Sequence, residues 1–468
     1  MGGGHAGAFP GVKAPRRAFS WAGSEKNLNR PKVALITFGC QMNKLDSEIA
    51  EAGLLREGFQ LVDDPAEADA VLFNTCAVRA HAEERVISRL AALYPLQDRR
   101  PGMVLGILGC MAQEHGASFL DRFPRVSLVA GTSHFHQLGT LLQRALAGER
   151  IAALEGGRDP EASERDPRAV PVGPRAFVAV QRGCSMGCAY CIVPSVRGPW
   201  RSRPLEEVLE ECRRVLDAGA VDLTLLGQTV DAWGRDLSPR ARFSELLRAV
   251  HDLPGLKRLH FVTSHPLFLD KETAALFGEL PRLARWVHLP PQSGSDRVLR
   301  AMRRGYTRAK YLETVETLRE AGAGVEIAGD FICGFPGETE EDHGATLSLL
   351  EEVGFSQCYV FKYSPRPGTP AASMEAPPPE VIRRRHGEVL ALHEEISARR
   401  NRELIGTVQE VLVEGPSPRD SSRLTGRTIH HRIVHFPGLG GERPGDLARV
   451  RIREASPVSL VGEREDGP

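Results

Sequence analysis

The stretch Phe-Val-Ala-Val-Gln (177–181) runs directly into Arg-Gly-Cys-Ser-Met-Gly-Cys-Ala-Tyr-Cys (182–191). A short apolar run of strand character hands over to a loop carrying Cys184, Cys188 and Cys191. The Cys-x3-Cys-x2-Cys spacing closes a loop small enough to wrap three corners of a cubane. Thiolates suit iron–sulfur clusters, with zinc as the next reading. Structural zinc takes four protein ligands and favours Cys-x2-Cys pairs, and no fourth Cys or His lies close by in the sequence. Three thiolates leave one iron of a four-iron cluster open. The missing ligand must come from elsewhere, and in an enzyme it can be a substrate.

Downstream of this loop, further apolar runs at 223–226, 258–262, 287–289, 326–333 and 358–363 are each followed by polar or Gly/Pro-rich residues and then a helical pattern. Six strand–helix units predict an open, partial parallel barrel with its active site at the strand C-terminal ends. Upstream, apolar runs at 33–37, 70–75, 104–109 and 126–130 alternate with helical patterns near 45–58 and 80–93, which predicts a parallel, helix-covered sheet. Cys40, Cys76 and Cys110 each fall just past one of the first three runs. In a parallel sheet those ends share one edge, so this dispersed triplet is expected to converge into a second incomplete cluster site. Three unrelated buried thiols are the alternative, because free Cys is a common core residue. After an Arg- and Glu-rich helix near 379–404, short runs at 408–413, 432–436, 447–452 and 459–461 predict a small antiparallel β-barrel. The expected boundaries are a disordered tail over 1–31, a first domain over 32–149, a linker over 150–175, the partial barrel with its helix over 176–404, and the small barrel and tail over 405–468.

The 468 residues call for more than one core, since single cores stop growing near roughly 250–300 residues. Lys+Arg and Asp+Glu are both 60, so net charge points to no partner. Basic residues cluster at Arg297, Arg300, Arg303, Arg304, Arg308 and Lys310, and at Arg383, Arg384, Arg385, Arg399, Arg400 and Arg402. Such clusters suit phosphates, but they also suit a solvated helix face. No apolar run approaches the length of a membrane span. Nine cysteines without a secretory signal predict a reducing, cytoplasmic compartment.

The tight triplet together with the six-unit barrel resembles the radical S-adenosylmethionine (SAM) superfamily. Thr-Phe-Gly-Cys-Gln-Met-Asn (37–43), Asn-Thr-Cys-Ala-Val-Arg (74–79) and Gly-Cys-Met-Ala-Gln (109–113) narrow this to the radical SAM methylthiotransferases. Leu-Leu-Gly-Gln (225–228), His-Leu-Pro-Pro-Gln-Ser-Gly-Ser-Asp (288–296), Met-Arg-Arg-Gly-Tyr-Thr (302–307) and Asp-Phe-Ile-Cys-Gly-Phe-Pro-Gly-Glu-Thr (330–339) agree. Val-Leu-Val-Glu-Gly (411–415) and Leu-Thr-Gly-Arg-Thr (424–428) resemble the TRAM RNA-binding domain. The fold class expected is therefore α/β: an N-terminal parallel sheet domain, a central partial (β/α)6 radical SAM barrel, and a C-terminal TRAM-like barrel. The first and fifth motifs are similar to the branch that methylthiolates carbon 2 of N6-isopentenyl-adenosine at tRNA position 37. Other branches act on threonylcarbamoyl-adenosine in tRNA or on a ribosomal-protein aspartate. Thr229 and Asp231 depart from the Asn-Val-Asn that usually follows Gly-Gln.

The resemblance implies two 4Fe–4S clusters. Cys184, Cys188 and Cys191 would hold the one that binds SAM and splits it into methionine and a 5′-deoxyadenosyl radical. Cys40, Cys76 and Cys110 would hold the one that presents sulfur. Tyr190, Gly227, Gln228, Ser264, Gln292, Ser293 and Asp330, most of them at expected strand ends, are the candidate SAM contacts; each is equally readable as a cap or turn residue. His265 and His288 read as structural, and Cys212, Cys333 and Cys358 as core packing. Arg423, Arg427 and Arg432 are the candidate RNA contacts, because Phe436 is the one aromatic residue of the small barrel. The partners implied are tRNA, a flavodoxin- or ferredoxin-like electron donor and a sulfur donor, for a monomer off the membrane. A reading from another class is an RNA-binding iron–sulfur sensor without turnover.

Overall fold

The computed structural model describes residues 30–77, 80–157, 165–167, 169–322 and 324–465. The tail expected over 1–31, apart from its last two residues, lies outside the described residues, as do Val78 and Arg79 of the second cysteine motif. The chain divides into two compact units, one ending at Val170 and one beginning at Pro171.

The first unit is a six-stranded parallel sheet: β1 (Lys32–Thr37), β2 (Gln60–Leu61), β3 (Ala70–Thr75), β4 (Val104–Gly109), β5 (Leu128–Ala130) and β6 (Ile151–Ala153), in the order β2-β1-β3-β4-β5-β6. Every residue of β3 and β4 is buried, as continuous apolar runs require when helices cover both faces. Helices Gln41–Arg56 and Leu138–Leu146 pack on one face through Ala50, Leu54, Leu138 and Leu142. Helix Ala80–Ala92 packs on the other through Val86 and Leu90. Two corrections follow. The first helix begins at Gln41 rather than near 45, because Cys40 itself occupies the N-cap position. Residues 151–153, expected in a linker, form the edge strand β6, paired to β5.

In the second unit, β7 (Arg175–Ala179), β10 (Asp222–Leu226) and β11 (Arg258–Phe261) pair in parallel, as do β12 (Trp286–His288), β13 (Glu326–Cys333) and β14 (Gln357–Lys362). A bridge between Leu259 and Leu283, just before β12, sets the two three-stranded sheets edge to edge. The strand expected over 177–181 is broken. β7 stops at Ala179, and β8 (Gln181–Arg182) turns away to pair antiparallel with β9 (Arg201–Ser202). This small hairpin closes the cysteine loop at its base. Gly183 permits the closure: its φ is +75°, and a Cβ there would lie 2.0 Å from the Pro199 carbonyl oxygen. Any side chain would open the loop.

The C-terminal strands β15 (Val408–Pro416), β16 (Arg423–Thr428), β17 (Ile433–Pro437), β18 (Leu447–Ala455) and β19 (Leu460–Arg464) close into a barrel ordered β15-β16-β17-β19-β18. Val411, Val413, Val434, Phe436, Val450 and Ile452 fill it. β16 escaped the sequence reading because Arg-Leu-Thr-Gly-Arg-Thr has no apolar alternation. The barrel docks on residues that begin the α/β strands. Arg258 Nη1 donates to the Arg427 and Thr428 carbonyl oxygens at 2.6 and 3.2 Å. Arg175 pairs with Glu414 at 3.0 Å. Arg432 Nη2 donates to both Glu326 oxygens at 3.0 Å, with side-chain exposures of 8% and 12%. The small barrel is therefore fixed to the strand N-terminal ends, away from the cysteine loop. Removing one partner of a buried pair strands the other charge at a cost of about 3–5 kcal/mol. Glu326 is also held by Arg400 at 3.0 Å, so Arg432→Met leaves that carboxylate one cation and is expected to lower stability by less, about 1.5–3 kcal/mol, measured as the shift in urea unfolding, whereas adding Glu326→Leu unpairs Arg400 and does not recover the loss.

Candidate functional site

The dispersed triplet assembles because the parallel register is in step. Asn74 pairs with Thr37 on one side and Leu108 on the other, and Thr75 pairs with Gly109. Cys76 and Cys110 are each the next residue beyond that last pair. Cys40 comes three residues after Thr37, past a turn at Gly39 with φ +134°. A Cβ at Gly39 would lie 2.6 Å from Cys76 Cβ, so the first cysteine loop lies directly against the second cysteine. Cys76 and Cys110 are buried and Cys40 is half-buried.

A buried amide lattice holds these strand ends. Asn74 Nδ2 donates to the Asn43 carbonyl oxygen and to Ser47 Oγ, both at 2.9 Å. Asn43 Nδ2 donates to Asn74 Oδ1 at 3.3 Å, and Cys40 Sγ lies 3.2 Å from Asn43 Oδ1. Thr75 Oγ1 donates to the Leu108 carbonyl oxygen at 3.1 Å. Neither asparagine was picked out as a site residue, although both belong to the cysteine motifs.

In the second unit, the Cys184 amide donates to the Gly198 carbonyl oxygen at 3.0 Å and the Cys191 amide to the Cys188 carbonyl oxygen at 3.1 Å. Cys184 Sγ accepts from the Met186 amide at 3.4 Å and lies 3.3 Å from Thr229 Oγ1. Cys188 Sγ accepts from Arg304 Nη1 at 3.4 Å. Burial pushes the Cys191 thiol up to about 12, and the neighbouring Cys188 and Cys184 add to the rise. The three sulfurs thus share one electrostatic environment. Each set offers three thiolates, the donor chemistry of an iron–sulfur cluster with one iron left open, whereas structural zinc takes four protein ligands.

The strand ends beside this loop carry buried polar atoms with no protein partner: Gln228 Oε1, Ser264 Oγ and His265 Nε2. Open polar atoms beside the cysteine loop suit a polar ligand such as SAM, although others stand at the opposite strand ends, among them Arg285 Nη1, His431 Nδ1 and Arg432 Nε. Leu267 N–H donates to His265 Nδ1 at 3.3 Å, so the ring proton sits on Nε2. Thr263 and Gln292, in the loops after β11 and β12, have φ of +69° and +70°, and such backbone strain gathers at binding sites.

The other candidates divide. Gly227 permits a tight turn, since a Cβ there would lie 2.9 Å from Val230 Cα. Gln292 bridges β13 through its backbone, donating to the Asp330 carbonyl oxygen at 2.9 Å. Ser293 Oγ accepts from the Ser295 amide at 3.2 Å and lies 3.4 Å from Thr346 Oγ1, as a turn residue does. Asp330 Oδ1 accepts from His288 Nε2 at 2.8 Å, and His288 Nδ1 accepts from the Thr263 amide at 3.2 Å. Tyr190 OH accepts from Arg304 Nη1 at 3.5 Å. Cys212 and Cys333 are in the core and Cys358 packs against it. In the small barrel, Arg423 is surface-exposed beside Asp420 at 3.3 Å, and Arg427 is half-buried on Glu414. Arg432 is turned inward onto Glu326 and Asn401. That corrects its expected place on an RNA-facing surface: docking the barrel demands a cation there.

Residues 178–350 match the Radical SAM superfamily, residues 402–463 the TRAM domain, and residues 32–131 the family described as Uncharacterized protein family UPF0004. Among solved structures, the radical SAM methyltransferase TsrM from Kitasatospora setae, with cobalamin and a [4Fe-4S] cluster bound, superposes with a TM-score of 0.52 at 17% identity. That match covers 74% of this chain and 77% of that one and speaks for the fold alone. Fold and cysteine loop together define a radical SAM enzyme, a class that uses SAM and a 4Fe–4S cluster. The chain is 39% identical over 454 residues to the tRNA-2-methylthio-N(6)-dimethylallyladenosine synthase of Akkermansia muciniphila, covering 92% of this chain and 98% of that one. It is 40% identical over 441 residues to the protein of the same name from Burkholderia ambifaria, covering 92% and 96%. The chain belongs to the tRNA-2-methylthio-N(6)-dimethylallyladenosine synthase family of radical SAM methylthiotransferases.

Asp231, one of the positions that departs from the branch pattern, accepts the His265 amide at 3.0 and 2.8 Å on its two oxygens. Burial nonetheless pushes its carboxyl up to about 8. The fold therefore favours the protonated form. That contribution is fully present below the ordinary value of 3.8 and is lost as pH rises through about 8. Asp231→Asn is expected to flatten the loss of stability across that window, read as urea midpoints of the two proteins at matched pH.

Proposed function

We propose that this chain adds a methylthio group to carbon 2 of N6-isopentenyl-adenosine at tRNA position 37, using two 4Fe–4S clusters. The observation that carries the reading is the second three-thiolate set on the edge of the first sheet. A radical SAM enzyme needs one open-iron cluster to act on SAM. A second set of three thiolates on its own α/β unit supports a second, sulfur-presenting site.

Cys184, Cys188 and Cys191 would hold the cluster that, when bound, supplies the electron that cleaves SAM. Gln228 and Ser264 present unpartnered polar atoms to the SAM nucleoside, while Tyr190, Gly227, Gln292, Ser293 and Asp330 shape the mouth around them. Cys40, Cys76 and Cys110 would hold the second cluster, with Asn43 and Asn74 fixing their loops. The methyl group would come from one SAM, leaving S-adenosylhomocysteine; the C2 hydrogen would pass to the 5′-deoxyadenosyl group of a second, which takes one electron and leaves as methionine and 5′-deoxyadenosine. Electrons come from a flavodoxin- or ferredoxin-like donor and sulfur from a sulfide donor. No described helix is long and apolar enough to cross a membrane. Its small barrel meets tRNA through phosphates, with Arg423 the exposed one of the three candidate arginines.

Mass spectrometry of tRNA nucleosides tests the substrate. Deleting the gene is expected to remove 2-methylthio-N6-isopentenyl-adenosine and leave its unthiolated precursor; loss of a threonylcarbamoyl derivative instead would overturn the reading. In the purified enzyme, Cys188→Ala is expected to abolish 5′-deoxyadenosine formation. Cys76→Ala is expected to keep part of that activity and lose methylthiolation altogether. Arg423→Gln is expected to weaken tRNA binding and reduce the slope of log affinity against log salt by about one.

A further inference from the structure

Arg304 lies in the loop after the short helix Asp296–Ala301, and that loop is fastened to the cysteine loop: the Ala189 amide donates to the Met302 carbonyl oxygen at 2.9 Å. The Arg304 side chain is buried, with 6% of the residue exposed. Its Nε donates to Tyr306 OH at 3.1 Å, Nη1 to Cys188 Sγ at 3.4 Å and to Tyr190 OH at 3.5 Å, and Nη2 to the Pro290 carbonyl oxygen at 3.3 Å. Its donors are thus satisfied, but its charge is not balanced. No carboxylate among the described residues pairs with it, whereas the similarly buried Arg385 and Arg432 pair with Glu338 at 2.9 Å and Glu326 at 3.0 Å, and buried Arg258, though held by carbonyl oxygens, lies close enough to Asp222 to lower that carboxyl. A buried guanidinium without an anion is strongly destabilising. The one partner able to carry negative charge at neutral pH is the Cys188 sulfur, once it is a metal-bound thiolate.

We infer that Arg304 is the built-in counter-cation of the Cys184–Cys188–Cys191 centre, a positioning residue whose charge-assisted N–H···S bond raises the reduction potential of the cluster held there. The inference rests on reading that triplet as a cluster site. Hydrogen bonds to ligand sulfur and net local charge are established controls on such potentials. Lysine keeps the charge and loses the planar fork; glutamine keeps a donor and loses the charge.

The test uses the full chain with Cys40, Cys76 and Cys110 replaced by Ala, so that one cluster is read. It is reconstituted anaerobically and titrated electrochemically with EPR detection. Arg304→Gln is expected to make reduction at least tenfold less favourable, a negative shift of 59 mV for one electron. Arg304→Lys is expected to keep most of the wild-type potential, and the exposed Arg300→Gln to leave it unchanged. If Arg304→Gln binds no iron while Arg304→Lys does, the charge requirement stands. An unshifted potential in an iron-replete Arg304→Gln protein, or equal defects in the Gln and Lys variants, overturns the inference. If the parent chain itself binds no iron, it is the cluster reading of the triplet that fails, not the role of Arg304.

Discussion

Where β1, β3 and β4 end, a single buried amide ties the three together. Asn74 donates to the Asn43 carbonyl and to Ser47 on the helix that follows β1, accepts from Asn43, and sits level with Thr37 and Leu108 in the parallel ladder. An amide buried there is tolerable only with its partners in place, since a buried unsatisfied group costs about 1–3 kcal/mol. The lattice therefore fixes where Cys40 leaves its turn, and the ladder fixes Cys76 beside Cys110. Residues distant in sequence become one donor set because the register between strands leaves no other placement. Glycine at 109 belongs to the same constraint: a Cβ there would lie 2.4 Å from Asn74 Oδ1.

The second unit reaches a three-thiolate loop by a different route. Its cysteines are close in sequence, so the task is to close the loop rather than to align strands. The β8–β9 hairpin and Gly183 do this at the base. On the far side, the Ala189 backbone donates to Met302 and accepts from Ala371 at 2.9 and 2.8 Å. The loop is thereby built into segments that lie more than a hundred residues downstream.

Most of the strand framework was legible from the sequence because buried parallel strands are continuous apolar runs, and all six barrel strands fell within a few residues of their positions. The tight triplet was legible by spacing and the dispersed one by its place after each run. What escaped was decided by partners rather than pattern. β16 is polar on its exposed side and has Gly426 where the Leu412 carbonyl oxygen passes 2.2 Å from a Cβ position, so it carries no alternation to read. Arg432 and Arg423 are both basic residues of the small barrel, and nothing local tells that one is opposite Glu326 and the other opposite solvent. His265 read as a structural histidine until its Nε2 proved to be without an acceptor.

Buried charge distinguishes the two ends of the barrel better than buried polarity does, because both ends are polar. Asp222, which opens β10, is buried, and burial alone would raise its carboxyl. His260, Arg175 and Arg258 outweigh that and hold it below the ordinary carboxylate range. Asp231, a few residues beyond the other end of the same strand, suffers the same desolvation with backbone N–H groups as its main relief, and rises to about 8. Among the described residues no carboxylate pairs with Arg304. At the strand N-terminal ends Arg175 and Arg432 are paired with Glu414 and Glu326, and Arg258 is held by two carbonyl oxygens of the small barrel, which is what a permanent docking surface requires. At the C-terminal mouth Asp330 is met by His288, but the Arg304 guanidinium beside three thiols is not balanced by a carboxylate. A buried guanidinium left beside three thiols is what a site completed by an anionic cluster requires.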